Sequence, residues 1–250
     1  MEYRWTPISY FGEITNANAW TISINPSARE FADQRGNDLT GPQQRFARLT
    51  DFPDCASRAQ VAQRHLGKVL EMQRTVLRRA PYRNYFARLG KFILLVNACQ
   101  PTADPLAPFT EGLQTEDSRL LFCHLDIAKC ATKKPWSGLS AAAKRTLIDN
   151  CSPYLEKQIR SSPQLRLILV NGRTAYDECL PLIKRLDFDG IEQKVTLGSS
   201  STCIASGTLH TRRSAVKVVA WTANVVNGHM NTAGRAALAH AVGAALRDVR

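Results

Sequence analysis

The sequence predicts an α/β fold, a three-layer sandwich whose central, mainly parallel four-stranded sheet is flanked by helices. Two observations predict it. Short aliphatic or aromatic runs alternate with longer segments of helical periodicity, and four of those runs are apolar almost throughout, as strands buried on both faces must be. With 250 residues, 44% of them hydrophobic, the chain can build one sizeable core, so residues 1–250 are read as a single domain.

The elements follow in order. WTISI (Trp20 to Ile24) is the first strand and breaks at the polar turn Asn25-Pro26-Ser27. Ala59 to Arg79 places Val61, Val69, Met72 and Val76 on one face of a helix. GKFILLV (Gly90 to Val96) fits either a strand or a helix, and LLFCHL (Leu120 to Leu125) is the second strand. Ala141 to Asn150 is helical, and Ser152 as cap with Pro153 as first residue starts a further helix. LRLILV (Leu165 to Val170) is the third strand, and Pro181 must bend or end the helix Thr174 to Arg185. KVTLGSSSTCIAS (Lys194 to Ser206) reads as a small antiparallel hairpin around a Gly/Ser turn at a sheet edge. VKVVAW (Val216 to Trp221) is the fourth strand. Ala233 to Arg247 is the last helix, with Leu238, Val242 and Leu246 inward and Asn231 or Thr232 as its cap.

Composition narrows the function classes. Lys and Arg number 33 against 21 Asp and Glu, a formal charge of +12 that favours polyanionic partners. The seven cysteines (Cys55, Cys99, Cys123, Cys130, Cys151, Cys179, Cys203) form no C-x-x-C pair and are odd in number. They signal no disulfide framework, zinc site or iron–sulfur cluster, so no metal and no cofactor is expected. The N-terminus lacks a basic stretch followed by an apolar one, and there is no uncharged apolar run long enough to span a bilayer. A cytoplasmic monomer without membrane contact is the expectation.

In an open α/β sheet ligands bind beyond the carboxyl ends of the strands. Those ends here carry Asn25-Pro26-Ser27, Asp126-Ile127-Ala128-Lys129, Asn171-Gly172-Arg173 and Thr222-Ala223-Asn224, the last running on to Asn227-Gly228-His229-Met230. Three of the four present an amide. Ser23-Ile24-Asn25-Pro26-Ser27 resembles the first motif of the uracil-DNA glycosylase superfamily, and Ala223-Asn224 stands where the His or Asn of its second motif falls. The resemblance covers most of the chain in element order. The chain departs from the pattern at Ser23, where many members have Gly, and at Val225-Val226, where Pro-Ser usually follows. The ligand cysteines of the iron–sulfur branches are absent.

The resemblance implies a monofunctional DNA glycosylase that hydrolyses an N-glycosidic bond and leaves an abasic site. Asn25 and Asn224 would be catalytic, with Asn25 holding the attacking water and Asn224 donating to the departing base. Pro26, Ser27, Phe31, His124, Asp126 and Asn171 would line the base pocket. Base extrusion needs a wedge, for which His229 and Met230 are the candidates, with Asn227 of the same loop as a DNA contact, and cations for the phosphates. The segment Arg58 to Lys91 is rich in Arg and Lys with Glu71 as its only acid, and it offers Arg78, Arg79 and Arg83, with Tyr82 and Tyr85 between the arginines. Lys129, Lys133 and Lys134 with Trp136 form a second basic loop. A carboxylate such as Asp126 only accepts hydrogen bonds, which would favour a cytosine-type base over uracil. A modified cytosine of phage DNA, excised in antiviral defence, is then the first expectation, with uracil or another deaminated base in repair as the alternative and Asp126 paired outside the pocket. Two other classes stay open: a non-catalytic nucleic-acid-binding protein of this fold, and a nucleotide-binding α/β protein holding phosphate at Asn171-Gly172-Arg173.

Overall fold

The structure, a computed structural model, describes residues 5–97, 104–115, 118–198, 200–212, 214–226 and 230–248. The four apolar runs form β1 (Ala19–Ser23), β4 (Phe122–Asp126), β5 (Leu167–Asn171) and β8 (Ala215–Trp221), adjacent and parallel in the order β4-β1-β5-β8. Two short strands, β2 (Leu113–Gln114) and β3 (Arg119–Leu120), pair by themselves.

The expected count of four strands is two short for the main sheet. The hairpin read around the Gly/Ser turn is longer than expected, comprising β6 (Phe188–Leu197) and β7 (Ser200–His210), and it joins the sheet antiparallel beyond β8 to give six strands. Most of β6 is exposed and polar, which hides it from a search for buried apolar runs. Its Asp189, Glu192 and Lys194 also discourage pairing of this open edge with another chain.

Alternate residues of the parallel strands feed two cores. Ala19, Leu167, Leu169, Val219 and Trp221 point to one, with α1 (Arg58–Arg79), α2 (Arg83–Val96), α3 (Ala107–Thr110) and α6 (Thr232–Asp248). Trp20, Ile22, Ile168, Val170, Val218 and Ala220 point to the other, with α4 (Ala141–Arg160) and α5 (Arg173–Lys184). Helices thus cover both faces, which is why these strands are apolar on both sides. The ambiguous run Gly90 to Val96 belongs to α2. Asn231 is the cap of α6, its Oδ1 accepting from the Gly234 N–H at 2.8 Å.

The break expected at Ser152-Pro153 does not occur, and α4 runs continuously through Pro153. Pro153 and Asp149, whose carbonyl loses its helical partner, are both exposed, while Ile148, Cys151, Leu155 and Ile159 keep one buried stripe through the proline. Pro181 likewise lies within α5, which ends one turn later at Lys184.

Gly90 fixes how closely α2 meets the chain ahead of α3. A Cβ there would stand 1.7 Å from the Pro105 carbonyl oxygen, so backbone would have to move. Gly90→Ala is expected to cost about 3 kcal/mol, the upper range for overpacking, lowering the melting temperature by roughly 6–12 °C. Thermal denaturation followed by circular dichroism checks this, and an unchanged melting temperature would contradict the packing described.

Candidate active site

The chain leaves β1 for β4 on one side and β5 for β8 on the other, so the switch point of the sheet lies between the carboxyl ends of β1 and β5. Ser23, Asp126 and Asn171 all end their strands there. Tyr85 of α2 closes the gap. Its hydroxyl lies 2.5 Å from Ser23 Oγ and also bonds the Asn171 side chain. Asn171 Oδ1 already accepts from Trp221 Nε1 at 3.1 Å and from Val225 N at 3.2 Å, so its amide group donates to Tyr85 and the Tyr85 O–H donates on to Ser23. Burial and the neighbouring Asp126 push the Tyr85 hydroxyl above its ordinary range, keeping it a donor.

Asn25 sits just beyond this bridge. Its Nδ2 donates to Pro26 O at 3.0 Å and to Thr132 Oγ1 at 3.1 Å. Thr132 Oγ1 spends its own proton on Lys134 O at 2.8 Å, so it must accept from Asn25. The amide orientation is therefore fixed, and no described residue donates to Asn25 Oδ1. Thr132 is itself anchored, through a parallel bridge to Ser27. Asn25 lines a cleft of about 670 Å³ together with Ser27, Trp5, Trp136, Lys133 and Lys134. An adjoining cleft of about 620 Å³ shares Arg29 and Asp33 with it and reaches Arg79 and Arg83.

Asn224 follows β8, two inter-strand steps from β1, or about 10 Å. It is exposed, its Oδ1 accepts from Val226 N at 3.0 Å, and its Nδ2 packs on Gly172. Gly172 has φ +94°, and a side chain there would press on Asn224.

Several expected site residues have other surroundings. Phe31 is a core residue stacked on Trp5 at 4.6 Å, and Pro26 is buried while Ser27 is exposed and caps the short turn after it, accepting from Arg29 N. His124 is enclosed by Phe11, Tyr85 and Phe86, with its Nδ1 2.8 Å from Thr21 Oγ1. Asp126 is 2% exposed, with His124 Nε2 at 3.6 Å. It lies in the layer between the sheet and α2 and does not line the cleft.

The basic residues separate by their partners. Arg78 donates to Thr110 O at 2.9 Å, and Arg79 to the carbonyls of Gln44 and Arg45, so the first ties α3 and the second a loop to the end of α1. Tyr82 meets Arg45, whereas Tyr85 faces inward. Lys129, expected at the surface, is buried and donates to Ser9 O at 3.1 Å; burial lowers it to about 8. It lines a different groove, on the α4 side, with Cys130 and Cys151. The exposed side chains of Arg83, Lys133 and Lys134 make no hydrogen bond or ion pair with another described residue. Of the two wedge candidates, His229 lies outside the described residues, as does the DNA-binding candidate Asn227, and Met230 is half-buried against the first core.

Thr132 and Glu30 of this site carry no sequence signal, and Tyr85, expected on a nucleic-acid surface, is instead the bridge between β1 and β5. Glu30, in the short turn after Asn25, is 4% exposed, and its Oε2 has no partner among the described residues. Burial, then the nearby Asp126, push its carboxyl up to about 8 against the pull of Arg45.

The chain matches no protein-family model and no curated protein. Among the described helices none is long and apolar enough to cross a membrane.

Since Glu30 binds its proton more tightly folded than unfolded, its contribution to stability is complete below about 4.5 and is lost as pH rises through about 8. Glu30→Gln keeps the shape and removes the titration. Urea denaturation at matched pH is expected to show the variant gaining on the wild type between pH 4.5 and 8. A difference that stays constant over that range would contradict a buried, protonated Glu30.

Proposed function

We propose that this protein is a DNA glycosylase that hydrolyses the N-glycosidic bond of a base and leaves an abasic site. The observation that carries this reading is the amide of Asn25, locked by Thr132 and Pro26 at the end of β1, with Oδ1 the acceptor left to it in a cleft edged by Lys133 and Lys134. Departure of a base from deoxyribose passes through an oxocarbenium-like sugar, so the attacking water needs position more than deprotonation. An acceptor of fixed direction supplies position. Asn25 is no base near neutral pH, so the rate then depends on stabilising the departing base as negative charge grows on it. Donation from Asn224, after β8 and two strands across from β1, suits that role.

The cations and aromatic rings of the cleft support a nucleic-acid substrate: phosphates meet Lys133, Lys134 and Arg83, and bases stack on rings such as Trp136. The expectation of modified cytosine rested on Asp126 reading the base. Asp126 is buried beneath Tyr85, so the volume of the cleft, wide enough for a bulky substituent, is what favours a modified base instead.

Duplexes carrying uracil, cytosine, hydroxymethylcytosine or glucosylated hydroxymethylcytosine, assayed for free base and alkali-labile sites, test the proposal. One of them should release its base. Asn25→Ala should lose most of that activity with folding and DNA affinity retained. Binding of DNA with no base released from any substrate would favour the non-catalytic alternative.

DNA affinity should fall with salt. Replacing both Lys133 and Lys134 with Ala should flatten the slope of log affinity against log salt by about two units. Arg78→Ala, whose side chain is committed to Thr110, should leave the slope unchanged. Equal slopes for the double variant and the wild type would move the DNA surface away from this cleft.

A further inference from the structure

Away from the cleft, three side chains of different ligand chemistry converge where the chain enters α1. Asp54, Cys55 and His65 each offer one donor atom, and all three atoms lie within 4.8 Å of one another. We propose that Asp54, Cys55 and His65 bind a zinc ion, with water completing a tetrahedral site.

The backbone is shaped to bring them together. His65 has φ −129° and ψ 18° inside α1, a kink with no proline to cause it. The kink swings the imidazole back to a loop eleven residues earlier, where Nε2 stands 2.9 and 3.1 Å from the two Asp54 oxygens. The ring stacks on Phe52 at 4.7 Å and 24°, which fixes the direction of Nε2. Cys55 is buried, and its thiol bonds the same carboxylate. Zinc bonds of about 2.0–2.3 Å imply ligand-to-ligand edges of about 3.5 Å. The oxygen–nitrogen edge is already near that length, and rotation of the Cys55 side chain brings in the sulfur. Thiolate, imidazole and carboxylate together suit zinc rather than calcium or magnesium. Arg64 Nη1, 3.7 Å from Asp54 Oδ2, is the opposing charge; it is held by donation to the Asp54 carbonyl at 3.0 Å, and its side chain is 55% exposed, so solvent screens it.

The site would staple the loop to α1 over the small core of Ala47, Phe52, Cys55, Val61 and Val69. Adjacent Asp and Cys followed ten residues later by His matches no paired-cysteine zinc pattern, which is why the sequence does not signal it.

Cobalt(II) titration of the metal-free full chain tests the proposal. One equivalent should give the ligand-field bands of a tetrahedral ion and a thiolate charge-transfer band, both erased by added zinc. Cys55→Ala should lose the charge-transfer band, and His65→Ala, checked for folding by circular dichroism, should weaken cobalt binding by about 10²-fold or more. Cys130→Ala with Cys151→Ala, which removes the two thiols of the α4-side groove, should bind cobalt like the wild type. Absence of the bands in the wild type would overturn the proposal. So would a charge-transfer band that survives Cys55→Ala, or one lost only with Cys130 and Cys151.

Discussion

The hydroxyl of Tyr85 is the interaction on which the rest of the site depends. A parallel sheet diverges at its switch point, and the polar groups that end β1, β4 and β5 must there be satisfied by water, by a ligand or by protein. Tyr85 satisfies those of β1 and β5 with protein, linking Ser23 of β1 to Asn171 of β5, and Asn171 carries the link to Trp221 and to the start of the loop after β8. The ends of three strands thus become one hydrogen-bonded unit under a single helix. Asn25 and Asn224 stand at the two sides of that unit on backbone it holds in place.

Such a unit places costly groups close together. Glu30 and Asp126 are both buried carboxyl groups, and the proton retained by Glu30 keeps its own charge out of the dry layer near Asp126. Buried polar groups of this kind detract from stability unless every one is partnered, so they accumulate where geometry matters more than stability. In this chain they lie directly behind Asn25. The exposed cations lie on the other side of it, in the cleft, so the asparagine marks the boundary between a dry, rigid layer and a wet, charged one.

The sequence made the parallel sheet and its helices legible because both are encoded by local pattern: apolar runs for β1, β4, β5 and β8, and 3.6-residue periodicity for α1 and α6. It was less informative where tertiary context overrides local rules. Pro153 looks like a helix start but rides on the exposed side of a helix whose buried stripe continues past it. β6 looks like a loop because an edge strand needs few buried residues. In the site, Asn25 was readable as an amide at a strand end. Thr132, which orients that amide, is an ordinary threonine 107 residues away, and Tyr85 sits among arginines that suggest a surface. The burial of Asp126 and Lys129 follows from α2 and α4 packing over them, which no spacing in the chain announces.

The proposed function requires that water, held by Asn25, attack the sugar carbon that carries the base. Base release carried out in heavy-oxygen water and followed by mass spectrometry of both products measures this directly. The predicted result is the label on the sugar hydroxyl of the abasic site and none in the free base. Label in the base, or a strand broken by an amine of the protein with no labelled abasic sugar, would contradict it.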